Sequence, residues 1–118
     1  MNTKTAINEL SQSEKIKAGL IWASHTLEHL SALPEIQKSG ATEAVKIMIH
    51  MIGHEAHLAR KTSGDTGWMD SEKHIDMALV MIDSGVPHEA AFHLTRALSQ
   101  VTGRAQRAMS YLVDQGLM

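Results

Sequence analysis

Three short stretches, LPEIQKSGAT (33–42), KTSGDTGW (61–68) and DSGVP (83–87), hold both prolines and four of the eight glycines. Proline and glycine are the residues least suited to a helix interior, so these stretches read as breaks. Between them apolar residues recur every three or four positions, with almost no β-branched alternation, which predicts four helices. The first is expected over roughly 12–33, with Ser11 and Glu14 in a capping-box pattern and Ile16, Leu20, Ala23, Leu27 and Leu30 on one stripe. The second spans roughly 42–61, capped by Thr42, with Val45, Met48, Ile49, Ile52, Ala56 and Ala59 on its main stripe. The third spans 71–84 and is ended by Gly85; the fourth spans 87–114, with Pro87 in its first turn.

Short connections make neighbouring helices antiparallel, so the expected fold is all-α, an antiparallel four-helix up-down bundle forming one domain over 1–118. The fourth helix, about 40 Å long at 1.5 Å per residue, outreaches the third. The second carries another apolar face in Ile47, Met51 and Leu58, and both features point to a homo-oligomer. Trp22 and Trp68 are expected to pack in the interior, and Gly53 and Gly103 to mark close helix approach.

Several function classes fall away at this stage. A net charge of −2 supplies no basic field for nucleic acid. The absence of cysteine excludes disulfides, thiolate metal sites and thiol catalysis. The longest apolar runs, AGLIWA and MALVMI, fall far short of a membrane span. No secretory pattern opens the chain, so the expected location is the cytoplasm. Arg96, Arg104 and Arg107 read as a solvated face of the last helix. An anion-binding site near Arg96, Arg104 and Tyr111 is a weaker alternative.

The chemistry concentrates in histidine. SHTLEHLSAL (24–33) and HMIGHEAHLAR (50–60) hold five of the eight, His25, His29, His50, His54 and His57. Two histidines at i, i+4 on a helix aim both imidazoles at one ion, and the sequence does this twice, in His25/His29 and His50/His54. If the first helix turns into the second around 33–42, His25 lies level with His50, and His29 and His54 fall a turn to either side. Glu28 and Glu55 stand nearby as carboxylate ligands or acceptors. Neutral imidazole with carboxylate suits zinc, iron, nickel, copper or manganese. His74 reads as a partly buried polar residue, and His88 and His93 are placed too far around their helix to share an ion.

HTLEHL (25–30) contains HxxEH, the zinc motif of pitrilysin-type peptidases, and resembles the zinc-binding helix of S-ribosylhomocysteine lyase. The resemblance implies His25 and His29 as ligands and Glu28 as general base. It covers six residues, the lyase's cysteine ligand has no counterpart here, and no family is identified from it. GHEAH (53–57) is one residue short of the zincin HExxH, and no ExxH pair of the di-iron type occurs.

The expected function is therefore a divalent transition-metal-binding bundle with ligands drawn from His25, His29, His50, His54, His57, Glu28 and Glu55. The role of the metal in redox or O₂ chemistry, storage, sensing or structure is open, and no catalytic residue is assigned. The alternative is a metal-free oligomeric interaction module whose histidines line a subunit interface, making assembly pH-sensitive.

Overall fold

Leu20, Ile49, Ile75 and Leu94, one residue from each of four helices, are completely buried and belong to one apolar cluster. The computed structural model describes all 118 residues and contains α1 (Thr3–Leu30), α2 (Glu35–Ser63), α3 (Trp68–Asp83) and α4 (Pro87–Asp114), with no strand. Each helix packs against its neighbours in the chain, and α1 also packs against α4, while the backbones of the two diagonal pairs do not approach closely. The result is a bundle 53 Å long and 24 by 18 Å across. No helix is long and apolar enough to cross a membrane.

The side-chain contacts between helices follow one progression. Lys15 meets Glu55 on α2, Lys46 and Arg60 of α2 meet Asp83 and Glu72 of α3, and Ser71 and His74 of α3 meet Gln100 and His93 of α4. In the contacts of α2 with α3 and of α3 with α4, the higher residue number on one helix meets the lower on the next.

Two helix starts differ from expectation. Helix α1 begins at Thr3, where Asn2 caps it by accepting the Thr5 N–H at 2.8 Å; Ser11 lies inside the helix. The buried stripe continues toward the N-terminus through Ser13, Glu9 and Ala6, and because two of these are polar an apolar periodicity stops short of them. Helix α2 begins at Glu35, directly after Pro34, whose carbonyl accepts the N–H groups of Gln37 and Lys38. Thr42 is thus an interior residue, and Gly40 is carried within the helix rather than ending a loop. Helices α3 and α4 lie close to their expected bounds, with Gly64 and Gly85 in left-handed conformation after α2 and α3.

The tightest contact of a helical glycine with another helix is also not where the sequence placed it. A Cβ on Gly19 would meet Ile52 Cγ1 at 3.0 Å, so α1 and α2 touch through that glycine. Gly53 has only ordinary clearance from Ile75, and Gly103 faces no neighbouring helix.

Candidate functional site

The histidine face is built on the outer side of α1 and α2. His25, Glu28 and His29 on α1, and His50 and His54 on α2, are all exposed. The Lys15–Glu55 ion pair at 3.1 Å and the Gly19–Ile52 contact fix the α1/α2 register. Continuing that register sets His25 level with Lys46, about one turn from His50. The two i, i+4 pairs are therefore staggered instead of level. The cause is the early start of α2: a turn of four residues, 31–34, replaces the longer break expected over 33–42.

No group of three or more His, Asp or Glu side chains within the chain is arranged to hold a metal ion. His57 is turned toward α3, where its Nδ1 lies 3.1 Å from Arg60 Nη2 and 3.5 Å from Glu72 Oε2. Glu55 is engaged by Lys15. The structure thus leaves His50/His54 and His25/His29 as separate two-imidazole pairs, with Glu28 exposed beside the second and His57 apart from both.

The surroundings of His50 and His54 are apolar. Together with Ile47, Met51 and Glu55 they line a shallow depression on α2. Ile47 and Met51 are 60% and 64% exposed, and Leu58 extends the stripe. A second groove, between α1 and α2, runs alongside through Trp22, Met48 and Met51. Trp22, expected in the interior, is 66% exposed, whereas Trp68 is fully buried.

At the other end of α1 lies a buried charge cluster that corrects the reading of the arginines. Arg104 is not on a solvated face: it is 7% exposed, and its Nη1 donates to Glu9 Oε1 at 2.6 Å and to Asp65 Oδ2 at 3.0 Å. Its guanidinium also lies 4.5 Å from the centre of the Trp68 ring, a cation–π contact in a desolvated setting. With two carboxylates already on it, Arg104 is no receptor for a free anion.

Gly67 makes this approach possible, since a Cβ there would stand 2.6 Å from Arg104 Nη2. Asp65 is aimed by its own loop, accepting the Gly67 N–H at 2.8 Å. The hydrogen bond from Arg104, followed by that from Gly67, holds the Asp65 carboxyl below the usual carboxylate range. Burial opposes the Arg104 charge, but the bonds to Asp65 and Glu9 outweigh it and hold the guanidinium above its ordinary value.

A third cluster joins α3 to α4. His74 Nδ1 and His93 Nδ1 are 3.0 Å apart, with ring centroids separated by 5.3 Å. Burial, reinforced by the adjacent His93, pushes the His74 imidazole down. This pair was open to discovery from the sequence, because a hairpin turning at 84–86 carries both residues to similar height. The Glu9–Arg104 pair was not: 95 residues separate its members, and no local pattern links them.

The chain matches no family model, no curated protein and no solved structure.

Proposed function

We propose that this chain is a metal-binding interaction module, an antiparallel up-down bundle that pairs with a second copy through the outer face of α1 and α2 and holds a divalent transition metal in the seam. One observation carries the reading: His50 and His54, an exposed i, i+4 pair, lie within the exposed apolar stripe of Ile47, Met51 and Leu58. Contiguous apolar surface of this kind favours a protein contact, and a contact on this face would include both imidazoles. Two imidazoles half-fill a tetrahedral ion, and a two-fold axis through the stripe supplies the same pair again from the second copy. Four imidazoles suit zinc, copper or nickel better than manganese. His25 and His29, with Glu28, form a second such pair beside Trp22, while Glu55 and His57 border the first. The progression of interhelix contacts supports the up-down topology, and the proposed setting is the cytoplasm.

The metal-free scaffold uses the same face and omits the ion. The deciding experiment measures metal per chain by mass spectrometry and molar mass by light scattering, on tag-free protein, with and without chelator. Under the metal reading, about one ion per two chains is expected, with the dimer lost in chelator and in His50→Ala/His54→Ala. A metal-free dimer that survives chelator would favour the scaffold. A metal-free monomer at all concentrations would dismiss both.

A further inference from the structure

The α3–α4 seam carries a donor pair of a different kind, on the opposite side of the bundle from His50 and His54 and independent of the function proposed above. The ring centres of His74 and His93 stand 5.3 Å apart and their Nδ1 atoms 3.0 Å apart. The 2.3 Å by which those distances differ is twice the span from an imidazole's centre to a ring atom. Both Nδ1 atoms therefore lie on the line joining the ring centres, and their in-plane donor directions point straight at each other.

That alignment selects among ions. A tetrahedral or square-planar ion needs neighbouring nitrogens to converge at about 90–110°, which collinear rings do not do. Such an ion also needs further donors, and no group of three or more His, Asp or Glu side chains is arranged to supply them. A linear two-coordinate ion needs only two nitrogens facing each other on one axis, the geometry that monovalent ions of the copper group adopt readily. At a metal–nitrogen distance of about 2 Å the nitrogens stand about 4 Å apart, so each ring retreats by about 0.5 Å. Both imidazoles are only partly buried, so they can shift outward and an ion reaches them without opening the core. The Ser71–Gln100 hydrogen bond at 2.9 Å and the fully buried Ile75 and Leu94 hold the two helices together meanwhile. Local charge points the same way. Arg96 and Lys73 oppose a cation beside His74 and Asp70 favours one, a net repulsion that a divalent ion feels twice as strongly as a monovalent one.

From this geometry we propose that His74 and His93 bind one Cu(I) ion linearly between their Nδ1 atoms, linking α3 to α4, with Ag(I) able to take its place. The ion occupies the position of the proton that the two rings otherwise share. The ring that donated through Nδ1 carries its proton on Nε2 instead, so both imidazoles stay neutral and no proton is released. Copper enters as Cu(I) and remains so, and no electron is transferred. The displaced hydrogen bond joins two neutral groups and contributes little net stability, so two metal–nitrogen bonds offset its loss.

The test is an anaerobic Cu(I) titration against a chromogenic chelator, on a variant with His25, His29, His50 and His54 all changed to Ala. Those four are exposed, so the bundle is retained while both α1/α2 pairs are removed from the measurement. One Cu(I) per chain is expected, with X-ray absorption showing two nitrogen neighbours and no sulfur, and with equimolar zinc failing to displace it. His74→Gln and His93→Gln, their folding checked by circular dichroism, are each expected to weaken binding about ten-fold or more, since each removes one of two linked donors. His88→Gln, on the same helix as His93, is expected to leave it unchanged. NMR of the parent chain with Ag(I) needs no substitution, and silver coupling to the Nδ1 atoms of both His74 and His93 is expected. No stoichiometric Cu(I), sulfur or a third ligand in the absorption spectrum, a folded His93→Gln that binds as before, or silver coupling at neither Nδ1 would each overturn the proposal.

Discussion

His74 and His93 meet Nδ1 to Nδ1 at 3.0 Å across the α3–α4 seam, a separation at which one ring must donate and the other accept. A second proton on the pair breaks that bond and sets two cations side by side. Arg96 and Lys73 add to the repulsion, and Asp70 alone opposes it. The folded-state pKa of His74 is depressed, so protonation favours the unfolded chain. The pair's contribution is complete above about pH 6.5 and is lost as pH falls below it toward the folded value. Urea denaturation is expected to show stability falling from pH 7 to pH 5, with a shallower slope in His74→Gln. A proton NMR titration placing His74 at or above the ordinary imidazole value would refute this account.

The Arg104 cluster predicts an asymmetry between its members. Arg104→Leu strands Glu9 as a buried carboxylate without its partner, and an uncompensated buried charge costs on the order of 3–5 kcal/mol. Changing both residues, as Arg104→Leu with Glu9→Gln, removes the stranded charge and is expected to recover part of that loss. Asp65→Asn is expected to cost much less, since the Asp65 side chain is half exposed and its charge is screened. Denaturant midpoints of the four proteins test the ordering. A double variant no better than Arg104→Leu alone would mean that lost packing on Trp68, not charge, dominates.

Two glycines separate conformational entropy from steric demand. Gly40 sits inside α2 with nothing within 4 Å of a built Cβ, so Gly40→Ala is expected to stabilise by about 0.5–1 kcal/mol. Gly67→Ala forces a methyl to within 2.6 Å of Arg104 Nη2, whose position is fixed by two ion pairs. That substitution is expected to destabilise by about 1–3 kcal/mol. Thermal melts of the pair should shift in opposite directions; a shared direction would show that one local environment has been misjudged.

How far the sequence reached can be read at α1. Its inward stripe from Ile16 to Leu30 was plain from periodicity, and Gly85 and Pro87 marked the end of α3 and the start of α4, whereas α3 begins three residues before the expected position, at Trp68. The first turns of α1 were hidden because Glu9 and Ser13 occupy inward positions that apolar patterning cannot recognise. A buried acid is acceptable there only because Arg104 comes to meet it from the far end of the chain. The early start of α2 moved the α1/α2 register, so His25 and His50, expected level, stand about a turn apart. Gly40 contributed to that error: read as a break, it lies in a helix whose neighbours on every side leave it room.

The outer face of α1 and α2 yields the last prediction. Trp22 is 66% exposed and borders the groove that also contains Met51, so the proposed pairing of two copies covers both. Neither side chain belongs to the buried core, and a charge at either position should therefore leave the isolated bundle intact while opposing burial against a second copy. Trp22→Glu and Met51→Glu are expected to shift the chain to monomer in sedimentation velocity, with thermal midpoints, taken at concentrations where the parent is monomeric, changed only slightly. His25→Ala, also exposed on α1 but a full turn away from the His50 level, is expected to have a smaller effect on association than His50→Ala. A parent protein that stays monomeric at high concentration with metal present would leave the exposed stripe without its partner. An unfolded Trp22→Glu would show instead that the indole supports α1 itself.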